Sequence, residues 1–271
     1  MTTFGGCGDV VRNTMAAPVA DIDQRYAKCG ADLINIARKI SDHFMPKTKS
    51  YYDLWVDDEK VVVREDGTYE IGRLSPDVED PIYGKTYLPR KFKIGLAADF
   101  DNSVDVYTQD IGIIAVTENG SILGYEVLAG GGLGYTHRKP DTYARAATHL
   151  TFVTEDELMP ILETIVKVQR DHGGRANRRY ARLKYLIDDW GWVKFEATVW
   201  EYAGKKYAAP RGVKPSDQPD YLGWHKQIQP GLNYVGVWIE NGRIRDFEGS
   251  YKFRSGLRKI VEQFKCGVRL T

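Results

Sequence analysis

A short basic segment in the first half of the chain carries side chains that could bind an anion. After Pro89, apolar residues alternate with Lys91, Lys93 and Gly95. This period of two predicts a half-buried β-strand over residues 91–97, in which the two lysines share one face. Most lysines lie on solvated outer faces, so this segment alone favours that plainer interpretation. Whether the lysines bind a ligand depends on the rest of the chain.

Two glycine-rich loops also hold groups that suit an anionic ligand. The loop from Gly5 to Asn13 surrounds Arg12 with glycines, which permit close approach of a backbone. The run from Ala129 to Gly134 follows a predicted strand, as phosphate-binding loops do, but no amphipathic helix follows it. A dinucleotide-binding fold is therefore disfavoured. Two interpretations of the second loop stay open: a cradle of backbone N–H groups, or a strand end packed against another backbone.

An arginine-rich segment over residues 175–185 is the third candidate. Helical spacing would place four of its cations on one side: Arg175, Arg178, Arg179 and Arg182. A solvated charged face is the commoner meaning of such a pattern.

The composition excludes several classes of protein. The 271 residues include 38 Lys+Arg and 37 Asp+Glu, a net charge of +1, so no global field indicates binding to nucleic acid or to a membrane surface. With 42% hydrophobic residues the chain can bury a core. No apolar run approaches the roughly 20 residues of a membrane span, and no signal-peptide pattern is present. We therefore expect no membrane partner and a cytoplasmic location, or an organelle stroma.

The cysteines and histidines do not form a recognisable metal or disulfide pattern. Cys7, Cys29 and Cys266 are widely spaced, without a C-x-x-C pair, and no two of the five histidines are four residues apart. The chain also lacks a G-x-S-x-G elbow and a Walker P-loop. Nucleophilic hydrolysis and nucleotide binding are thus not indicated.

The periodicity predicts an α+β fold with an antiparallel or mixed sheet and packed helices. Strands are expected at 91–97, 104–108, 111–117 and 122–129, and a Glu-Asn-Gly turn joins the last two. We expect 91–97, 111–117 and 122–129 in one antiparallel sheet, with helices at 158–171 and 178–190 packed on it. Further helices are expected at 21–44 and 193–202. Residues 57–84 are polar and suggest a long surface excursion.

Helix limits and the last part of the chain are also predicted. Thr154 and Glu157 form a capping-box pattern, although Pro160 suggests that the regular helix begins nearer to it, and Gly173 should end it. After a proline-rich linker at 209–219 we expect a strand at 234–239, a Glu-Asn-Gly turn at 240–242 and a second strand. A helix containing Leu257 and Phe264 and a strand from Val268 should follow.

Taken in order, these segments resemble the sulfite/nitrite reductase family, and within it the haemoprotein subunits of assimilatory sulfite reductases. The matching pieces are Gly6–Asn13, Tyr87–Lys93, Leu128–Gly134 with His137 and Thr142, Asn177–Leu186, Tyr221–Trp224 and the Glu240–Gly242 turn. Several separate motifs in the right order, over nearly the whole chain, make this resemblance specific. It implies six-electron reduction of sulfite to sulfide at a sirohaem coupled to a [4Fe-4S] cluster.

The resemblance also implies roles for individual residues. Arg12, Lys91 and Lys93 would line the face of the sirohaem where the sulfur oxyanion binds, and Arg90 would pair with a carboxylate of the macrocycle. Other cofactor-binding residues would hold further carboxylates or build the surrounding pocket: Asn13, Gly130, Gly131, Gly132, Arg178, Arg182 and Lys184. Sirohaem has eight carboxylates, which require many cations and N–H donors.

The two lysines could supply protons as well as charge. Each oxygen that leaves sulfite must be protonated, and neighbouring ammonium groups are stronger acids than an isolated lysine because they repel each other. Arg12 would position and polarise rather than donate, since a guanidinium hardly ever deprotonates. The electron chemistry belongs to the cofactor.

The family pattern is matched only in part. Its four cluster cysteines, spaced C-x5-C and C-x3-C, have no counterpart here. We therefore expect the cluster ligands to lie outside this chain and the chain alone to be inactive, without a cluster and with little or no sirohaem. The expected division is a sirohaem-binding domain at 1–208, a linker at 209–219 and an incomplete ferredoxin-like half at 220–271. The chain would then be the central part of a haemoprotein subunit.

Alternative functions and donors stay open. Nitrite reductase of the same family is the nearest alternative, and the paired lysines favour sulfite. A non-catalytic anion-binding module derived from the family is another. The electron donor could be ferredoxin or a flavoprotein subunit, and the overall resemblance leans towards ferredoxin.

Overall fold

The computed structural model describes residues 9–47, 54–56, 59–63, 69–71, 79–249 and 251–269. Its centre is a five-stranded mixed sheet with the strand order β1-β5-β6-β7-β8. These strands are β1 (Val11–Ala16), β5 (Phe92–Ala98), β6 (Ile111–Glu118), β7 (Ser121–Ala129) and β8 (Thr148–Val153). The expected α+β class with a mixed sheet is confirmed.

The three predicted core strands share this sheet, but they are not all antiparallel. β6 and β7 form the expected antiparallel hairpin, with Asn119 and Gly120 both at positive φ, as a two-residue turn requires. β5, however, runs parallel both to β1 and to β6. A parallel pair needs a crossover connection, which the sequence periodicity does not reveal.

The crossover from β5 to β6 contains no strand, so the prediction of a strand at 104–108 was wrong. Val106–Thr108 is a 3-10 turn instead, preceded by Asp105 in the left-handed region. Two side chains hold this turn: Asp101 accepts a hydrogen bond from the backbone N–H of Ser103, and Asn102 from that of Val106. Such local side-chain acceptors compete with strand pairing.

Four helices belong to the main body: α1 (Gly30–His43), α2 (Glu155–His172), α3 (Leu183–Trp190) and α4 (Trp192–Ala203). Apolar residues of all four join the main core with the inward side of the sheet, for example Ile40, Ile165, Ile187 and Val199. The expected packing of helices on the sheet is thus confirmed.

The opposite side of the sheet is covered by loops. Ala97, Ile114 and Leu128 form a smaller core there with Val106 and Ala147. Because both faces are covered, β5 is buried from Ile94 onwards, and the alternating burial predicted for the strand is seen only at Phe92, Lys93 and Ile94.

Several predicted helix limits are corrected. α1 begins at Gly30 rather than at 21, because Asp23 caps a separate 3-10 turn at Gln24–Tyr26. α2 begins at Glu155 with the expected capping box and ends at Gly173, so Pro160 does not delay its start. The carbonyl that Pro160 leaves without a partner belongs to Asp156, which is exposed to water.

The sequence reasoning missed several strands. β1 and β8 were not predicted as strands. The expected surface excursion at 57–84 contains β3 (Glu59–Val63) and β4 (Tyr69–Ile71), which form an antiparallel sheet of three with β2 (Leu54–Val56) just before it. These strands are short, and β3 carries Glu59 and Lys60 at its start.

The C-terminal part has a hairpin of β9 (Gly223–Lys226) and β10 (Asn233–Gly236), followed by α5 (Phe253–Phe264). The strands expected at 243 onwards and at Val268 are not found in the described residues, and 270–271 lie outside them. Residues 209–219 have no regular secondary structure, and the division into a linker and two domains stays a prediction. Among the helices that the structure describes, none is long and apolar enough to cross a membrane.

Candidate functional site

A β-bulge places Arg12 at the start of the main sheet. β1 pairs with β5 at Val11–Phe92 and again at Thr14–Ile94, so one extra residue is inserted in β1 between these pairs. Bulges bend a strand and redirect its side chains, and they are common next to active sites. The Nη2 atom of Arg12 is buried and has no hydrogen-bond partner among the described residues.

Lys93 lies at the centre of a group of cations at this end of the sheet. Burial lowers the pKa of Lys93, and the charges of Arg182, Lys91 and Arg12 lower it further, while Asp110 opposes them. The sequence predicted that repulsion between the two lysines would make them stronger acids. For Lys93 the direction is confirmed, but burial and Arg182 contribute more than Lys91.

Arg182 is held next to Lys93 by a buried carboxylate. Asp110 is fully buried, and its two oxygens accept hydrogen bonds from Nε of Arg182 at 3.1 Å and from Nη2 at 2.8 Å. Asp110 also accepts the backbone N–H of Lys93 at 3.0 Å. Burial raises the pKa of Asp110, and the Arg182 guanidinium is the main opposing influence.

The glycine loop after β7 packs against backbone. The N–H groups of Gly130, Gly131 and Gly132 donate to the carbonyls of Asp110, Gln109 and Arg145, at 2.8, 2.9 and 2.8 Å. They are therefore already used, and of the two interpretations left open by the sequence the structure favours the packed strand end over the N–H cradle. A Cβ on Gly131 would lie 2.3 Å from the carbonyl oxygen of Tyr107, so the close approach requires glycine.

Lys184 holds this loop through hydrogen bonds to its carbonyl groups. Its side chain is buried, and its ammonium donates to the carbonyls of Gly132 at 3.1 Å, Gly134 at 2.9 Å and Tyr143. Burial lowers its pKa. Since all three protons are donated within the protein, the structure favours the second of the two expected roles of Lys184, which is to build the pocket.

The arginine-rich segment is not one helix. Arg178–Tyr180 is a 3-10 turn, and Arg182 is the extended residue that precedes α3, so the predicted helix at 178–190 starts too early. Asn177 explains the break, because its side chain accepts the backbone N–H of Arg179 at 3.0 Å. The predicted single helical face of arginines was therefore wrong.

The arginines nevertheless converge on the same region. Arg178 pairs with Asp9 just before β1, at 2.8 Å, and Arg175 donates to the carbonyls of Thr86 and Tyr87. Asp9 in turn accepts the backbone N–H of Leu88 through its carbonyl, at 2.8 Å. These contacts hold the start of β1 beside the segment that carries Arg90 and Lys91.

The cation group fits an anionic ligand such as a polycarboxylate macrocycle with a bound oxyanion. Within the described residues, four cations at this site form no salt bridge: Arg12, Arg90, Lys91 and Lys93. A buried guanidinium nitrogen without a partner is costly unless a ligand supplies an acceptor. Asn13 lies in the bulge, its side chain is outside the described structure, and so is the whole of residues 1–8.

The described residues do not fit an iron–sulfur cluster. Cys29 is buried at the start of α1, Cys266 is exposed beyond α5, and Cys7 lies outside the described residues. No group of three or more His, Cys, Asp or Glu that could hold a metal ion occurs in the part of the chain that was described. Of the described residues, only those of the anion pocket are therefore assigned to ligand binding.

Sequence reasoning missed two residues that shape the site. Asp110 stands between a turn and β6 and has no motif of its own. Arg145 donates to the carbonyl of Gly130 at 2.9 Å and to Asp188 at 2.9 Å, which ties the glycine loop to α3. Both act through contacts distant in sequence, and a single sequence carries no signal for such pairs.

Comparisons with known proteins give a consistent result. The model of the family described as nitrite and sulphite reductase 4Fe-4S domain matches residues 35–207. Proteins named "Sulfite reductase [NADPH] hemoprotein beta-component" are 41% identical in Shewanella sp. (strain ANA-3) and 40% identical in Shewanella baltica (strain OS155 / ATCC BAA-1091). Both likenesses cover 100% of this chain and 45% of the relative, so the chain spans less than half the length of these relatives.

The fold is shared with a solved structure. The Mycobacterium tuberculosis NirA protein is matched with a TM-score of 0.58 and 22% sequence identity, over 85% of this chain and 34% of that chain. At this identity the likeness concerns the fold alone.

Proposed function

The chain belongs to the nitrite and sulphite reductase family, and we propose from this that it forms the anion-binding part of a sulfite reductase haemoprotein. The reaction is the six-electron reduction of sulfite to sulfide. Relatives that carry this name are 41% identical over the whole chain. Because the chain spans less than half of their length, the complete enzyme needs further parts.

One observation carries the proposal: among the described residues, the cations at the start of β1 and β5 have no carboxylate partners of their own. Arg12 has a buried Nη2 atom to which no described residue offers an acceptor, and Lys93 is partly buried beside it. Each cation–anion pair at about 4 Å gains roughly 4 kcal/mol at an effective dielectric constant near 20, before desolvation. A bound dianion would thus offset the repulsion among these side chains.

The residues divide into two roles. Arg12, Lys91 and Lys93 hold the sulfur oxyanion, and Lys93, whose lowered pKa makes it a stronger acid, gives a proton to an oxygen that leaves. Arg90 binds a carboxylate of the cofactor. The framework of Arg178, Arg182, Lys184 and the glycines at 130–132 builds the pocket, and Asn13 in the bulge remains a candidate for cofactor contact.

The cofactors implied by the family are a sirohaem and a [4Fe-4S] cluster, which supply the electrons when bound. We propose that the cluster ligands lie in parts of the protein beyond this chain. The names of the relatives speak of NADPH and of a beta-component, which favours electron delivery from NADPH through a separate flavoprotein component over ferredoxin. A cytoplasmic location remains a prediction.

Two substitutions in the complete haemoprotein subunit test the proposal. Lys93→Met should retain sirohaem but lower sulfite turnover by about 10²-fold or more, because the proton donor is lost. Arg12→Ala should raise the sulfite concentration needed for half-maximal rate. Steady-state kinetics with sulfite and with nitrite, and the sirohaem absorption spectrum, provide the measurements.

Lys39→Met is the matched control, since Lys39 is an exposed residue of α1 that pairs with Glu155 away from the site. It should behave as the parent. Parental sulfite turnover in Lys93→Met and Arg12→Ala, with full cofactor content, would contradict the assignment of the pocket. A large preference for nitrite in the parent enzyme would instead favour nitrite reductase.

A further inference from the structure

The fully buried Asp110 stands directly behind the proposed anion pocket and has no assigned role. It lies one residue before β6, and Ile111 pairs with Ile94 of β5. Its carboxylate accepts the N–H of Lys93 at 3.0 Å, next to the last paired residues of the two strands. The side chain therefore takes the place of a strand carbonyl and fixes the backbone of Lys93 where the sheet ladder ends.

The same carboxylate forms a bidentate salt bridge with Arg182. The distances are 3.1 Å from Nε to Oδ1 and 2.8 Å from Nη2 to Oδ2, and the other contact of Nη2 is with the carbonyl of Gly131 at 3.2 Å. Two parallel hydrogen bonds fix both the position and the plane of the guanidinium. Asp110 thus joins three pieces of the site: β5, the glycine loop and the residue before α3.

The charges around Lys93 come from four elements. Arg12 lies in β1, Lys91 just before β5 and Arg182 just before α3, and all three are cations that make the Lys93 ammonium less stable. Asp110, just before β6, is the carboxylate among these neighbours. Its charge opposes theirs.

We propose that Asp110 is a positioning residue, whose buried carboxylate fixes the backbone of Lys93 and the guanidinium of Arg182 so that the Lys93 ammonium is presented to the anion pocket. The proposal deepens the proposed function and rests on it for the identity of the anion. Asp110 itself touches neither substrate nor cofactor. Its effect passes through the place and the charge state of Lys93.

The test measures Lys93 directly in this chain, without cofactor. Lysines carrying ¹³C-methyl groups are titrated by NMR, and the Lys93 signal is assigned with Lys93→Arg. Asp110→Asn keeps an oxygen for the N–H of Lys93 but removes the negative charge, so the titration midpoint of Lys93 should fall by about one pH unit. Arg182→Gln removes a cation, so it should raise the midpoint instead.

Asp171→Asn is the matched control. Asp171 also accepts two hydrogen bonds from one guanidinium, that of Arg170, at 2.6 and 2.8 Å, but it lies at the end of α2 and is not among the charges that act on Lys93. This variant should leave the Lys93 midpoint unchanged. If Asp110→Asn does not fold, the double variant Asp110→Asn with Arg182→Gln replaces it, because it also removes the unpaired guanidinium. The titration midpoint of Lys93 in the double variant should lie between those of the parent and of Arg182→Gln.

The proposal would be overturned by either of two results. In Asp110→Asn the Lys93 midpoint would stay at the parental value, or in the double variant it would equal that of Arg182→Gln alone. In the complete subunit, Asp110→Asn should also move the alkaline limb of the kcat pH profile for sulfite to lower pH. A shifted midpoint in the chain together with an unaltered pH profile would keep the positioning role and reject the proposed function. The two failures are therefore distinguishable.

Discussion

Replacing Lys184 by methionine tests the framework of the glycine loop. Methionine keeps a similar length but donates no hydrogen bond, so the carbonyls of Gly132, Gly134 and Tyr143 lose a common donor. Hydrogen bonds to a charged group contribute about 1.5–3 kcal/mol each. Removing a buried ammonium recovers several kcal/mol of desolvation, and the exposed Gly134 can turn its carbonyl to water. We therefore expect the free energy of unfolding to fall by about 2–3 kcal/mol.

Two measurements follow from that value. Urea unfolding monitored by tryptophan fluorescence should give a lower midpoint, by up to about 1 M at a slope of about 3 kcal/mol/M. Trypsin should also cut the loop after the exposed Arg138, and a loss of 2 kcal/mol in local stability corresponds to cleavage about 30-fold faster.

Lys194→Met provides the control. Lys194 is an exposed cation of α4, and its ammonium lies 4.6 Å from the centre of the Trp190 ring without buried carbonyl partners. Its replacement should change the free energy of unfolding by less than about 0.5 kcal/mol. If Lys184→Met had the parental urea midpoint and the parental cleavage rate, the loop would be held by other contacts and the reasoning would be refuted.

Two further predictions concern packing and pH. Gly131→Ala would place a Cβ 2.3 Å from the Tyr107 carbonyl oxygen, whereas Gly134→Ala meets nothing within 4 Å. Urea unfolding should therefore show that the free energy of unfolding falls by about 2 kcal/mol or more in Gly131→Ala and hardly changes in Gly134→Ala. Equal losses in the two variants would contradict the packing of the glycine loop. Burial raises the pKa of Tyr26, which donates to Asp101 at 2.6 Å. In the unfolded chain this tyrosine releases its proton near pH 10, but in the folded chain it does not, so stability is lost as pH rises above about 10. Between pH 9 and 11 the unfolding temperature should therefore fall more steeply with pH in the parent than in Tyr26→Phe. Identical slopes would show that Tyr26 does not cause the loss of stability.

The sequence predicted the parts of the fold that local patterns determine. The β6–β7 hairpin follows from alternation and an Asn-Gly turn, and α2 follows from its capping box and apolar spacing. The parallel pairing of β5 was not predictable in this way, because both its neighbours are distant in sequence. β8, with Thr148 and His149 at its start, lacks a clear alternation, and pairing with β7 decides its structure.

In the candidate site, too, the sequence predicted what local motifs show and missed what depends on contacts distant in the chain. The cations Arg12, Lys91 and Lys93 could be selected from motifs, and the structure brings all three together, as the electrostatic influence on Lys93 shows. Asp110 and Arg145 could not be selected, since each gains its meaning only from a partner elsewhere in the chain. The sequence left Gly130–Gly132 and Lys184 open between carboxylate binding and pocket building, because a motif identifies residues without saying which of their donors are already used.

The parallel pairing of β1 with β5 also determines when the pocket can form during folding. Val11 reaches Phe92 only after a long stretch of chain has been closed into a loop, and the entropic cost of that closure must be met before any contact is gained. The hairpin of β6 and β7 is local and can form early. Arg12, Lys93 and Arg182 then converge last, and their mutual repulsion does not oppose the first steps. Substitutions among them should therefore change the unfolding rate and leave the folding rate almost unchanged.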